Sequence, residues 1–114
     1  MIPLNAPSLD SGLEEQYVLD ALRSGWVTGG PYVARFEQAF CHLTGRRHAV
    51  ACSSGTSALF LALKALGAGP GRRVLCQDYA CEALAHAVIW ATGHPPILHD
   101  VEPHTWSLRI EGLE

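Results

Sequence analysis

The sequence lacks the features that would draw it to nucleic acid or a membrane. Its net charge is −3 and its pI is about 6.0, so it has no positive excess to attract polyphosphate or anionic lipid. No stretch reaches the roughly 18 apolar residues that a membrane span needs, and the N-terminus has neither a basic start nor an apolar run. These absences predict a cytoplasmic protein without a nucleic-acid or membrane partner.

Metal-binding patterns are also missing. Four cysteines stand at 41, 52, 76 and 81 without a C-x-x-C pair, and six histidines are scattered without zinc-like spacing. We therefore expect free thiols and no metal site.

What is present fits one globular domain, with 114 residues of which 48% are hydrophobic and 17% charged. Ser11 and Glu14 form a capping-box pattern that predicts a helix over 11–23. Pro31 is suited to begin a second helix, whose apolar spacing continues to Leu43, and Gly45 is suited to end it. We assign 1–46 to these leading helices and the glycine-rich loop between them.

Residues 47–114 predict the start of a parallel α/β sheet. Short apolar runs and longer apolar helices alternate in the order β-α-β-α-β, with turns rich in glycine and proline. The predicted strands are 48–52, 73–76 and 96–101, and the predicted helices are 56–66 and 81–92. The last residues, from 107 on, resemble the beginning of a further helix.

Both predicted helices of this sheet are apolar on most sides. Three short strands cover only part of such surfaces, so the piece is expected to be incomplete and to oligomerise or aggregate.

One turn has the pattern of an anion site. Ser53-Ser54-Gly55-Thr56-Ser57 follows a predicted strand and opens a helix, where free amides and the helix dipole favour an anion. An ordinary N-cap explains the same residues. The flanking glycines of a nucleophile elbow and the Gly-Lys pair of a P-loop are absent.

Several blocks in colinear order resemble the DegT/DnrJ/EryC1/StrS family of pyridoxal-phosphate (PLP) enzymes, mostly aminotransferases that act on nucleotide-linked keto sugars. These blocks are residues 24–33, Phe36-Glu37, 54–59, 69–71 and 96–105. The resemblance implies the large domain of an aspartate aminotransferase-like fold, a homodimer and a role in nucleotide-sugar metabolism. Its substrates would be a keto sugar nucleotide and an amino acid that donates the amine.

The resemblance also implies site residues. Gly55, Thr56 and Ser57 correspond to the turn that holds the PLP phosphate. Trp26, Thr28 and Gly30 correspond to a segment near the substrate entrance, although Trp26 is equally compatible with a place in the core.

The chain departs from the family after its second predicted strand. The family has a Pro-x-x-Thr-aromatic stretch there, and this chain has Gln77-Asp78-Tyr79-Ala80-Cys81. Cys81 stands where a ring would stack on the cofactor, and Tyr79 is an alternative contact. We interpret Asp78 as a helix N-cap.

Lys64 is the only lysine of the sequence. It lies roughly 12 Å along the helix axis from Thr56 at 1.5 Å per residue, and the family does not place its Schiff-base lysine there. Nor does the resemblance give Asp100 the pyridine-binding role. The sequence thus predicts the N-terminal portion of a PLP aminotransferase that is inactive alone. Alternatives are a truncated, non-catalytic remnant and a small α/β module for phosphate binding or assembly.

Overall fold

The computed structural model describes residues 5–9 and 12–112. Four helices and two strands follow one another along the chain: α1 (Leu13–Ser24), α2 (Pro31–Thr44), α3 (Gly55–Ala65), β1 (Leu75–Gln77), α4 (Ala83–Thr92) and β2 (Ile97–His99). They form two compact units, one ending at Ala51 and the other beginning at Cys52. The α/β class is confirmed. None of the helices in these described ranges has the length and apolar character to cross a membrane.

The first unit contains the two leading helices. α1 begins at Leu13, and Ser11 of the predicted capping box lies outside the described residues. α2 begins at Pro31 and ends before Gly45, as predicted; Gly45 has φ 68°, a left-handed conformation that glycine adopts without steric cost.

Aromatic and cationic side chains join α1 to α2. The guanidinium carbon of Arg35 lies 5.1 Å from the ring centroid of Tyr17 and 5.3 Å from that of Tyr32. The two rings are themselves 5.7 Å apart. Cation–π attraction thus ties helices that have no buried residue among those described.

The second unit is built on a parallel pair of strands. β1 pairs with β2 in the register Leu75 to Ile97, Cys76 to Leu98 and Gln77 to His99. α4 connects them in sequence and also packs against α3. The buried residues of this unit, which form its small core, are Cys76, Ala87, Val88, Ala91 and Thr92.

The predicted strand over 48–52 is not formed. No described strand pairs with this segment, so its backbone has no ladder to join. Instead, the Ala51 amide donates a 2.8 Å hydrogen bond to Oε1 of Glu37, and Val50 is 77% exposed. The observed order of the second unit is therefore α-β-α-β rather than β-α-β-α-β.

The expected helix from 107 on is also wrong for the described residues, which reach 112. The chain turns back after Val101, and Leu108 forms an antiparallel bridge with it. The Arg109 amide donates to the Asp100 carbonyl over 3.0 Å. Residues 108 and 109 thus pair with residues 100 and 101, and the Arg109 amide is bound in this pairing instead of in a helix.

Candidate functional site

The N-terminus of α3 is the centre of the candidate site. Ser54 precedes the helix in an extended conformation (φ −159°, ψ 162°), and its Oγ accepts a 3.1 Å hydrogen bond from the Ser57 amide. The Ser54 carbonyl accepts from the Ala58 amide at 3.0 Å. Ser54 is therefore the N-cap, as the second interpretation of this turn proposed.

The cap leaves two amides of α3 without a partner. Within the described part of the chain, no hydrogen bond is made by the N–H of Gly55 or of Thr56, the first two helical residues. The positive end of the helix dipole lies at the same place. A Cβ added to Gly55 would meet no atom within 4 Å, so the backbone is open to a ligand. The N-cap thus uses the Ser57 amide, whereas the predicted anion site would use the amides of Gly55 and Thr56 in the same turn.

Three serine hydroxyls cluster beside these amides. The Oγ of Ser57 lies 3.0 Å from that of Ser54 and 3.3 Å from that of Ser53. Since its amide is bound to Ser54, Ser57 has only its hydroxyl to offer a ligand. Ser53 and Ser54 belong to the turn that the sequence analysis singled out, but only Gly55, Thr56 and Ser57 were expected to hold the phosphate.

An open hollow adjoins the turn. Both α3 and α4 line it, with Gly55, Thr56, Ala58, Leu59, Ala62 and Ala83. Its walls are mostly apolar beyond the free amides, a suitable combination for a ligand with an anionic group attached to an apolar ring.

Cys81 lies two residues before the part of α4 that reaches this hollow. Its side chain is exposed and its carbonyl accepts a 3.1 Å hydrogen bond from the Leu84 amide. Cys76, by contrast, is buried within β1, and burial raises the pKa of its thiol. Cys76 belongs to the core, whereas Cys81 is on the surface, two residues before Ala83 in sequence.

The interpretation of Asp78 as a helix N-cap is wrong. α4 begins at Ala83 with Glu82 before it, whereas the Asp78 amide donates to the His99 carbonyl at 2.9 Å. Asp78 therefore continues the pairing of β1 with β2, and its position at the end of a strand is incompatible with capping a helix that begins farther on.

The predicted substrate residues belong to the first unit, in the loop between α1 and α2. Trp26 is 61% exposed, so its ring is not a core residue of this unit. Gly30 has φ 151°, and a Cβ there would lie 3.2 Å from Cε3 of Trp26. Glycine is therefore needed at 30 both for its backbone and for the close approach of the indole. Thr28 is exposed in the same loop.

The two other candidates for cofactor chemistry take no part in this turn. Lys64 is exposed in the last turn of α3, at the end opposite to Gly55. The Asp100 carboxylate accepts a 2.8 Å hydrogen bond from the Val101 amide in its own turn.

An α/β unit whose helix begins with free amides has the features of an anion site. Sequence and structure comparisons assign the chain to a family. The chain belongs to the DegT/DnrJ/EryC1/StrS aminotransferase family, whose profile matches residues 9–114.

Individual relatives agree with the family assignment. The chain is 40% identical to a GDP-perosamine synthase of Caulobacter vibrioides and 41% identical to the spore coat polysaccharide biosynthesis protein SpsC of Bacillus subtilis, over 99% of its length in both cases. It spans only 30% and 28% of those two proteins.

Solved structures give the same assignment. The putative sugar aminotransferase Spr1654 of Streptococcus pneumoniae, in its PLP form, superposes with a TM-score of 0.85 and 31% identity. The match covers 94% of this chain and 27% of that one. The resemblance to a PLP-type large domain is thereby confirmed.

Proposed function

We propose that this chain is the phosphate-holding N-terminal portion of a PLP-dependent aminotransferase that acts on keto sugar nucleotides. The observation that carries the proposal is the pair of unpartnered amides of Gly55 and Thr56 at the positive end of α3. Family membership supports PLP as the ligand of this anion site. The names of the relatives, a GDP-perosamine synthase and a putative sugar aminotransferase, support a sugar substrate.

The phosphate end of PLP fits the turn. The amides of Gly55 and Thr56 would donate to phosphate oxygens, and the hydroxyls of Thr56 and Ser57 would add further donors. Ser54 holds the turn in shape by capping α3, so these donors are in place before a ligand arrives. When bound, PLP supplies the electron sink that amino transfer requires.

The ring of the cofactor would extend into the apolar hollow. Its walls are formed by side chains such as Leu59 and Ala62, and Cys81 lies near the α4 side of the hollow in sequence. A polarisable thiol packs acceptably against an aromatic face, so Cys81 would take the place of the stacking ring.

The remaining proposals concern the whole enzyme. Trp26, Thr28 and Gly30 would contribute to substrate binding, with a keto sugar nucleotide and an amino-acid amine donor as the small-molecule partners. A homo-oligomer in the cytoplasm is the assembly we propose.

The residues present do not fit the covalent part of PLP catalysis. Lys64 lies in the last turn of α3, roughly 12 Å along the helix axis from Thr56 at 1.5 Å per residue. We therefore expect no transamination by this chain alone. The second candidate function, a non-catalytic module for phosphate binding or assembly, would need only the turn before α3.

A ligand series distinguishes the candidates. The chain would be titrated with pyridoxamine 5′-phosphate, pyridoxamine and inorganic phosphate by isothermal calorimetry. Pyridoxamine phosphate is used because it has an amine in place of the aldehyde of PLP and so forms no Schiff base with lysine. Because hydrogen bonds to a charged group contribute about 1.5–3 kcal/mol, the phosphate ester should bind at least roughly tenfold more tightly than pyridoxamine.

Inorganic phosphate is the control for ring recognition. Weaker binding of inorganic phosphate than of the ester supports a PLP site. Equal binding of the two would support the simple phosphate module instead. If neither anion binds, the proposed phosphate site is wrong.

A further inference from the structure

Trp106 has an unusual backbone for a large residue. Its φ is 57°, and among the described residues it is the only non-glycine with positive φ. The conformation closes a tight turn, in which the Trp106 amide donates to the Glu102 carbonyl at 2.8 Å and the Glu102 amide to the Ser107 carbonyl at 2.9 Å. Glycine or asparagine suits such a position, whereas a bulky side chain is strained there. The turn alone therefore does not explain a tryptophan.

Among residues 5–9 and 12–112, the indole ring of Trp106 has one aromatic partner, the ring of Tyr79. Their centroids are 4.9 Å apart at an interplanar angle of 41°. Trp106 is 57% exposed and Tyr79 65% exposed, so neither ring is held by a surrounding core. The pair is a contact between two surface segments, the turn after β2 and the loop between β1 and α4, and the left-handed backbone is what directs the indole onto the tyrosine.

Tyr79 belongs to a segment whose backbone is held by hydrogen bonds. The Asp78 amide donates to the His99 carbonyl at 2.9 Å, and the Gln77 side-chain amide donates to the Tyr79 carbonyl at 3.1 Å. Within the described part of the chain, the Trp106 ring is the only aromatic ring that stacks near Tyr79. Cys81 follows two residues later, and α4 begins two residues after it.

We propose that Trp106 is a positioning residue: its ring holds Tyr79, and through it the 78–81 segment that leads into α4, whose first residue, Ala83, lines the hollow beside Gly55 and Thr56. Cys81 replaces the ring that the family resemblance leads us to expect, and a short thiol tolerates less displacement of its backbone than a broad ring does. The consequence for cofactor binding rests on the proposed function; the contact between turn and loop does not.

The test measures amide hydrogen exchange in the 114-residue chain and three variants. Trp106→Gly removes the ring and also relieves the backbone strain. Trp106→Phe keeps a ring in the same strained backbone. Trp90→Ala is the matched control. Trp90 is 61% exposed, close to the 57% of Trp106, and its ring has an aromatic neighbour, His86 at 6.1 Å, but it lies on α4.

The expected pattern separates positioning from turn formation. An aromatic pair is worth enough to slow local opening by roughly two- to tenfold, so Trp106→Gly should accelerate exchange in 78–81 by that factor. Exchange in the 101–108 turn should not accelerate, since glycine suits the turn. Trp106→Phe should restore most of the protection of 78–81, and Trp90→Ala should not change it.

Unchanged exchange of 78–81 in Trp106→Gly would overturn the proposal, as would a loss of protection confined to 101–108. Titration with pyridoxamine 5′-phosphate provides the second readout. Lower affinity in Trp106→Gly with restoration in Trp106→Phe supports the role toward the ligand. Faster exchange of 78–81 in a chain whose unsubstituted form binds no pyridoxamine phosphate would support the positioning role and overturn the proposed function.

Discussion

Helices α3 and α4 are both apolar and pack against each other, but only α4 has buried residues. Ala87, Val88, Ala91 and Thr92 are buried in α4, and no residue of α3 is. α4 connects two strands that pair with each other, whereas the segment before α3 forms no strand in the described chain. Apolar composition alone is therefore not enough to bury a helix, and the helix that is buried is the one that connects two paired strands.

The two helices also differ at their N-termini. Ser54 caps α3 through its side chain, while Glu82 before α4 has a helical backbone (φ −54°, ψ −24°) and makes no side-chain cap. The extended Ser54 directs its oxygen to the third amide of α3 and leaves the first two free. The proposed phosphate site of the second unit is therefore on the less buried helix.

Truncation of one residue on each helix should give the largest difference in stability. Val88 is 1% exposed, so Val88→Ala should lower the free energy of unfolding by about 2 kcal/mol through lost burial and a residual cavity. Leu61 is 49% exposed, so Leu61→Ala should cost less than about 1 kcal/mol although it removes more atoms. Urea denaturation measures both. A larger loss for Leu61→Ala would show that α3 is covered in solution.

The helix caps should give a smaller difference. Ser54→Ala removes the acceptor of the Ser57 amide and should destabilise the chain by about 1 kcal/mol. Glu82→Ala removes no cap hydrogen bond and should change stability by less than about 0.5 kcal/mol. Thermal unfolding by circular dichroism compares the two; equal losses would contradict the assigned difference between the N-termini.

Local signals in the sequence were sufficient for most of the helices and for the turn. Pro31 and Gly45 bound α2 as predicted because each acts through its own backbone, and the serines before α3 supplied its cap. Such features depend on a few neighbouring residues, so sequence spacing is enough to recognise them.

Features that depend on distant partners were not predictable in the same way. The 48–52 run has the composition of a strand, but strand formation requires a paired neighbour, and Ala51 instead donates to Glu37. In the 107–112 segment, Leu108 forms its bridge with Val101. The ring of Trp106 contacts that of Tyr79, which lies 27 residues earlier in the sequence. No pattern among neighbouring residues in the sequence predicts such contacts.

The binding of pyridoxamine 5′-phosphate by Gly55→Ala is the most direct test of the central claim, that the N-terminus of α3 holds a phosphate. A methyl group at 55 meets no atom within 4 Å in the free chain, and the backbone of Gly55 is already helical, so folding should not suffer. The methyl group would, however, stand beside the two free amides. Gly69→Ala, also at an open glycine without positive φ, is the matched control.

The account predicts that Gly55→Ala unfolds at the temperature of the unsubstituted chain or higher, and that it binds the phosphate ester at least roughly tenfold more weakly, equivalent to one charged hydrogen bond. Gly69→Ala should retain full affinity. Unchanged affinity in Gly55→Ala, or an equal loss in both variants, would contradict the assignment of the phosphate to this turn.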